Sequence, residues 1–130
     1  MDNKYNLLTF RAAMAAIYTE DGVLTVAFAD STSPEPENYL ILQQDVPRVQ
    51  SDVSDDYYFE ISDHSMSGEG GFQRAYFDGD DLILLFSEEL AEKYSIQGLK
   101  LLGAKLTCDV TELHAALLDV FAKTKCQFDA

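Results

Sequence analysis

The sequence has few basic residues: its 130 residues include 9 lysines and arginines against 23 aspartates and glutamates, for a net charge of −14. A surface with this much negative charge repels the phosphates of DNA, RNA and anionic lipids. We therefore expect neither nucleic acid nor a membrane as a partner. No stretch approaches the roughly 18 consecutive apolar residues that a membrane span needs. Residues 1–5 lack the basic and apolar regions of a signal peptide. We therefore expect a cytoplasmic protein.

Cysteine and histidine are also scarce, with two of each in the chain. Cys108 and Cys126 flank a predicted helix of about 15 residues, which would be about 22 Å long. That length far exceeds the roughly 7 Å limit on the Cα separation of a disulfide, so the two cysteines cannot pair across an intact helix. His64 and His114 do not complete a zinc-ligand spacing with them. The sequence therefore predicts free thiols, no metal and no cofactor.

Apolar residues are plentiful despite the charge, at 47% of the chain, with 12% aromatics. A chain of this length can bury roughly two-thirds of the surface that its unfolded form exposes. We therefore expect a single folded domain over residues 1–130 rather than a disordered acidic tail.

Alternating apolar residues predict an α+β fold with a mostly antiparallel sheet of about seven strands and a C-terminal helix packed on one face. The alanine-rich segment 6–18 is compatible with a helix, but Phe10, Ala12, Met14, Ala16 and Tyr18 fall on one face at period two, which favours strand. The predicted strands are 6–18, 23–29, 39–43, 57–61, 72–77, 82–86 and 99–107.

Two helices are predicted. Residues 88–94 follow a capping Ser87 and begin with two glutamates, which suit a helix N-terminus. The clearer helix is 110–123, with Asp109 and Glu112 as a variant capping box. Its predicted apolar stripe consists of Val110, Leu113, Leu117, Val120 and Phe121. The segments 30–38, 44–56 and 62–71 are predicted as loops, the last one a flexible turn.

Three short motifs resemble catalytic or ligand-binding patterns, and each is better explained as a turn or loop. The acidic run 78–81 lacks the alternating ligands of a calcium loop and predicts a hairpin turn. The glycine-rich run 68–71 lacks the lysine and hydroxyl of a phosphate loop. Ser62, Asp63 and His64 are adjacent in sequence, whereas a catalytic triad must converge in space.

The negative charge is concentrated in residues 30–81, which hold thirteen acidic residues and only Arg48 and Arg74, or −11 of the net −14. This concentration serves either solubility or the steering of a basic protein partner. Tyrosines next to these acids supply rigid contact area of the kind found at interfaces. The predicted partner-binding residues are Asp55, Asp56, Tyr58, Glu60, Asp63, His64 and Glu69.

The order of these segments resembles the immunity protein 10 family of bacterial polymorphic toxin systems over about residues 10–122. The more specific matches to the family are the stretch Tyr39–Gln43 and the Glu60/Asp63 pair followed by Gly70-Gly71. The apolar strand residues are less specific. The segments that carry the resemblance are 26–30, 38–44, 58–64, 70–72, 82–86 and 117–121.

The resemblance implies a protein that binds and blocks a cognate toxin domain. Toxins of these systems are often nucleases, which tend to be basic and would suit the acidic segment 30–81. This sequence departs from the family at Gln44, where an arginine is usual, and at His64, where a glutamine is usual. If those positions contact the toxin, the partner differs from the usual one.

Two other function classes stay open at this point. A small acidic enzyme of unrecognised type could use Glu60, Asp63 or His64 as acid or base, and would need a concave pocket with converging titratable groups. A structural or regulatory subunit would instead bury a self-complementary apolar patch in a homo-oligomer.

We predict two reactive thiols per chain. Alkylation under denaturing, non-reducing conditions, read by mass spectrometry, should modify both Cys108 and Cys126. A monomeric chain with no reactive thiol would show that the predicted helix does not separate the two cysteines.

Overall fold

The computed structural model describes residues 6–46 and 57–129, which form two five-stranded sheets, two α-helices and a short 3-10 helix. The first sheet has the order β1-β9-β8-β7-β10, and its strands are β1 (Leu7–Arg11), β7 (Phe72–Asp78), β8 (Asp81–Phe86), β9 (Gly98–Leu102) and β10 (Gln127–Asp129). The second sheet has the order β2-β3-β4-β5-β6, and its strands are β2 (Met14–Glu20), β3 (Val23–Ala29), β4 (Tyr39–Asp45), β5 (Tyr58–Ile61) and β6 (Asp63–Glu69).

The predicted α+β class is confirmed. The prediction of about seven strands in one sheet is wrong, because the described residues form two sheets of five strands each. Residues 62–71 are not a flexible turn, because most of them form β6, which pairs with β5. The predicted strand 99–107 ends at Leu102 and gives way to the 3-10 helix Ala104–Leu106. Strand β10 was not predicted, since three residues are too few to show a period.

Pairing within both sheets is mostly antiparallel, as predicted. The two exceptions among the described residues are β1, which runs parallel to β9, and β10, which runs parallel to β7. Both parallel strands lie at the edges of the first sheet, so its three central strands remain antiparallel.

Residues 6–18 are strand rather than helix, but they are divided between the two sheets. The amide of Ala12 donates to the carbonyl of Leu102 in the first sheet at 2.9 Å. The amide of Ala13 donates to the carbonyl of Ala29 in the second sheet at 2.8 Å. The prediction that residues 10–18 share one face is therefore wrong. Phe10 and Ala12 are buried, whereas Met14, Ala16 and Tyr18 face outward.

Aromatic rings join the two sheets. Phe59 of β5 lies 5.3 Å from Phe72 and 6.0 Å from Phe86, measured between ring centroids, and those two rings stack on each other. The fully buried Tyr57 packs edge-on against Phe121, and its hydroxyl accepts a 2.8 Å hydrogen bond from the amide of Phe72. One face of each sheet is thereby removed from water.

Both helices begin where the sequence predicts. Helix α1 (Glu88–Tyr94) is capped by Ser87, whose hydroxyl accepts from the amide of Leu90, and α2 (Val110–Phe121) is capped by Asp109, whose carboxylate accepts from the amide of Glu112. Helix α2 packs against β2, β3 and β4 of the second sheet and against β10.

The predicted apolar stripe of α2 is confirmed at four positions and wrong at one. The buried side chains are Leu113, Leu117, Val120 and Phe121, joined by Ala116. Val110 stands at the first position of the helix, where it lines an open cleft and is 45% exposed.

Cys108 and Cys126 carry free thiols at either end of α2. Cys126 is buried in the core, and Cys108 is half-buried. Burial raises the pKa of the Cys108 thiol, which keeps it in its less reactive protonated form at neutral pH.

We predict that Leu117→Asp unfolds the protein. Leu117 is fully buried, and a carboxylate placed there would lack a partner, at a cost of about 4 kcal/mol or more. Circular dichroism during urea unfolding measures the loss. Leu118→Asp is the matched control, because its neighbouring side chain is 45% exposed. Equal stability of the two variants would contradict the placement of α2.

Candidate functional site

The outer face of the second sheet brings together several of the predicted partner-binding residues. Side chains alternate between the two faces of a strand, so the residues that flank Phe59 in β5 point away from the core. The strand registers place Glu60 beside Ile41 and Ser67, and Tyr58 beside Gln43 and Glu69. Alternation within the predicted strand 57–61 puts Tyr57, Phe59 and Ile61 on one face and Tyr58 and Glu60 on the other, and the structure confirms this division.

Glu60 is held by two phenol groups on this face. The Tyr39 hydroxyl donates to Oε2 at 2.5 Å, and the Tyr58 hydroxyl donates to Oε1 at 2.7 Å. Both tyrosines and Glu60 are half-buried. Because one donor holds each carboxylate oxygen, the plane of the carboxylate is fixed relative to the sheet.

The carboxylate also perturbs its neighbour. The hydrogen bond to Glu60 and then partial burial raise the pKa of Tyr58 above its ordinary 10.0. At neutral pH the phenol therefore stays protonated and remains a donor to the carboxylate. This arrangement holds the Glu60 carboxylate in one orientation on the outer face of the sheet.

An open groove of about 290 Å³ runs along the same face and ends at Glu60. The registers align Ala16 with Ala27, and Ala27 with Ile41, which lies beside Glu60. These small alanine side chains leave a depression between larger neighbours. The larger apolar side chains lining the groove are Met14, Phe28, Pro34, Pro36, Tyr39 and Ile41.

The predicted loop 30–38 supplies one side of this groove. Asp30 fixes the base of the loop, since its carboxylate accepts from the amide and from the side-chain nitrogen of Asn38, at 3.0 and 3.1 Å. Pro34 and Pro36 lie between these anchors and line the groove. The prolines therefore restrict the backbone of a loop whose two ends are already joined.

The other predicted partner-binding residues are only partly located. Glu69 lies across from Tyr58 and is exposed. Asp63 and His64 belong to the backbone of β6, but their side chains lie outside the described part of the structure. Asp55 and Asp56 lie outside the described residues altogether.

Sequence reasoning missed Tyr39 and the residues that line the groove. A signal was present, because Tyr39, Ile41 and Gln43 alternate with the buried Leu40 and Leu42. The sequence could not show that Tyr39 lies near Glu60, 21 positions later, since this requires the β4–β5 register.

Gln44 is not a surface residue. Its side chain is 4% exposed, its Nε2 donates to the carbonyl of Val120 at 3.1 Å, and its Oε1 accepts from the amide of Asp45. The last four carbonyls of a helix lack hydrogen-bond donors within the helix, and Gln44 supplies a donor to one of them, the carbonyl of Val120. The Gln44 side chain therefore attaches α2 to β4.

A second cleft, of about 400 Å³, lies at the β7–β10 edge of the first sheet. Its charged residues already have partners: Arg74 Nε lies 2.7 Å from a carboxylate oxygen of Asp129, and Lys105 Nζ lies over the ring of Phe77. Hydrogen bonds from Gln127 and then Arg74 lower the pKa of Asp129. His114 packs its ring against Phe128. These contacts hold β10 against β7 and α2.

Across 6–46 and 57–129, no three histidine, cysteine, aspartate or glutamate side chains lie close enough together to hold a metal ion. No helix in this part of the chain has the length and apolar character needed to cross a membrane.

We predict that Glu60→Gln lowers the pKa of Tyr58 toward 10.0, because the amide is a weaker acceptor and carries no charge. The tyrosine Cζ resonances in ¹³C NMR measure this titration. The folded state holds the Tyr58 proton more tightly than the unfolded chain, so this contribution to stability is complete below pH 10.0 and is lost as pH rises through the raised pKa.

Glu69→Gln serves as the control, since Glu69 is the cross-strand neighbour of Tyr58 but does not contribute to its shifted pKa. An unchanged Tyr58 titration in Glu60→Gln would contradict the hydrogen bond between them.

The sequence matches the model of a known family. The model of the family described as "Immunity protein 10" matches residues 9–114. The matched region includes the second sheet and ends inside α2. A search of curated proteins finds no match. The family match covers most of the 130 residues, and the chain belongs to the immunity protein 10 family.

Proposed function

We propose that this protein binds and neutralises a cognate toxin domain, and that the outer face of the second sheet makes the contact. Family membership carries the first part of the proposal. The arrangement of Tyr39, Tyr58 and Glu60 supports the second, because half-buried tyrosines around an oriented carboxylate form a rigid, amphipathic contact surface.

Charge supports a basic partner. Residues 12–46 and 57–73 include all the described strands of the second sheet and contain no lysine or arginine. Glu20, Glu60 and Glu69 project from the outer face of that sheet. Such a field accelerates association with a positively charged protein, and basic toxins include nucleases.

The predicted residues have different roles in this proposal. Tyr58 and Glu60 form the centre of the contact, and Glu69 lies at its rim. Asp55, Asp56, Asp63 and His64 are proposed as further contact residues. The protein acts as one domain, in the cytoplasm of the producing cell, without a cofactor.

Binding accounts for the site better than catalysis does. An enzyme acting at Glu60 would need a second group able to exchange a proton near neutral pH. Two phenols, those of Tyr39 and Tyr58, contact the Glu60 carboxylate, and the pKa of Tyr58 is raised rather than lowered. We therefore propose that the protein neutralises its target by contact and does not modify it.

We expect the toxin domain encoded next to this protein to co-purify with it and to associate more slowly in high salt, since exposed charges are screened within about 10 Å at 0.1 M. Surface plasmon resonance at low and high salt measures this. The double variant Glu20→Gln/Glu69→Gln should lower the association rate constant severalfold at low salt, with little change in dissociation.

The matched control is Glu88→Gln/Glu112→Gln, which removes the same charge from the two helices. Wild-type protein that does not bind the toxin would refute the proposed function. Equal effects of the two double variants would place the contact elsewhere on the protein.

A further inference from the structure

The groove beside Glu60 combines two kinds of surface. Along most of its length it is apolar, lined by Ala16, Ala27 and Ile41 from the strands and by Pro34 and Pro36 from the loop. Among the described residues that line it, Glu60 is the only charged one. A ligand that fits must therefore present an apolar stem and a polar or cationic end, which are the two parts of a long basic side chain.

The charged end of the groove is prepared in advance. Hydroxyl donors from Tyr39 and Tyr58 hold the two oxygens of the carboxylate, one on each. These two donors orient the carboxylate relative to the groove. Less conformational freedom is lost on binding when the acceptor is already fixed.

The apolar part of the groove is also fixed. Ala27 lies on β3, which is paired on both sides, and Pro34 and Pro36 lie in a loop whose ends are joined by Asp30 and Asn38. The groove is thus formed by backbone that is held by the sheet and by the loop anchor.

We propose that this groove receives one arginine side chain of the toxin, with its aliphatic stem along Ala16 and Ala27 and its guanidinium on the Glu60 carboxylate. This inference rests on the proposed function and specifies how the second sheet recognises its partner. The surrounding charge agrees, because the strands of the second sheet and their described connections carry acids and no lysine or arginine.

Arginine fits this site better than lysine. A guanidinium is planar, so it can lie against a tyrosine ring and donate to a carboxylate at the same time. Tyr39 both lines the groove and contacts Glu60. The lysine ammonium is compact and strongly hydrated, and it would gain less from a groove with an apolar lining and an aromatic side chain.

The experiment is a binding cycle with the purified cognate toxin domain. Glu60→Gln removes the charge, and Ala27→Leu fills the groove from a strand position that points away from the core. Each should weaken binding by about tenfold or more, chiefly through faster dissociation. The double variant should bind the toxin with nearly the same affinity as either single variant, because both changes remove the same occupant.

The controls separate this effect from a change in the fold or in total charge. Ala115→Leu adds the same volume at an exposed position of α2, and Glu20→Gln removes a charge from the rim of the same face. Both should leave dissociation within about twofold of wild type. Urea unfolding of every variant shows whether Ala27→Leu and Glu60→Gln leave stability unchanged.

The toxin side of the cycle identifies the occupant. Each arginine and lysine of the toxin is changed to alanine and tested against wild-type protein and Glu60→Gln. We expect one arginine whose replacement weakens binding to wild type by about tenfold but has little further effect on Glu60→Gln. Replacing that arginine with lysine should not restore the lost affinity.

The outcomes distinguish the two proposals. If wild-type protein binds the toxin and neither Glu60→Gln nor Ala27→Leu weakens the complex, the groove is not the recognition site, although the proposed function stands. A toxin lysine coupled to Glu60 would overturn the choice of arginine. If no basic residue of the toxin couples to Glu60, the proposal that an arginine occupies the groove is also overturned. If wild-type protein binds no toxin, the proposed function itself fails.

Discussion

Contact between two sheets, each burying one face, is the constraint on which the rest of the fold depends. Phe59 from the second sheet meets Phe72 and Phe86 from the first, and the hydroxyl of Tyr57 satisfies the Phe72 amide beside them. A buried amide without a partner would destabilise the fold by about 1–3 kcal/mol. The core is therefore closed by aromatic packing and by a hydrogen bond, and the opposite faces of both sheets are left for contact with solvent or partners.

Positive charge is distributed unevenly between the two sheets. The chain passes from the first sheet to the second between Ala12 and Ala13, where successive amides donate to strands of different sheets. The second sheet then proceeds without lysine or arginine in its strands, whereas the first sheet and its connections include Arg11, Arg74, Lys100 and Lys105. The acidic character expected from composition is thus strongest on one side of the core.

Local patterns in the sequence predicted local structure well. Both helix starts were recognisable because a capping side chain and the first-turn acids lie within four residues of each other. The buried set Tyr57, Phe59 and Ile61 followed from period two alone. The outward positions of Tyr58 and Glu60 followed from the same period.

The assignment of strands to two sheets was not predictable, because it depends on contacts between distant segments. Alternation continues through Phe10, Ala12 and Met14 as if they shared one face, and no residue there signals the change of sheet. Strand β6 contains serine and glycine, which are typical of a turn, yet pairing with β5 makes it a strand. Tyr39 joined the site only through the β4–β5 register, which also determines how close it comes to Glu60.

The alternation of side chains in the second sheet has a consequence for how the family can change its partners. Leu40 and Leu42 support the core, while Tyr39 and Ile41, which alternate with them, face the groove. In β5, Phe59 and Ile61 are buried, whereas Tyr58 and Glu60 form the site. Residues that determine folding and residues proposed to determine recognition thus occupy separate, interleaved positions. Under the proposed function, mutations at the outward positions would follow a diverging toxin and exclude unrelated ones, while the inward positions preserve the scaffold.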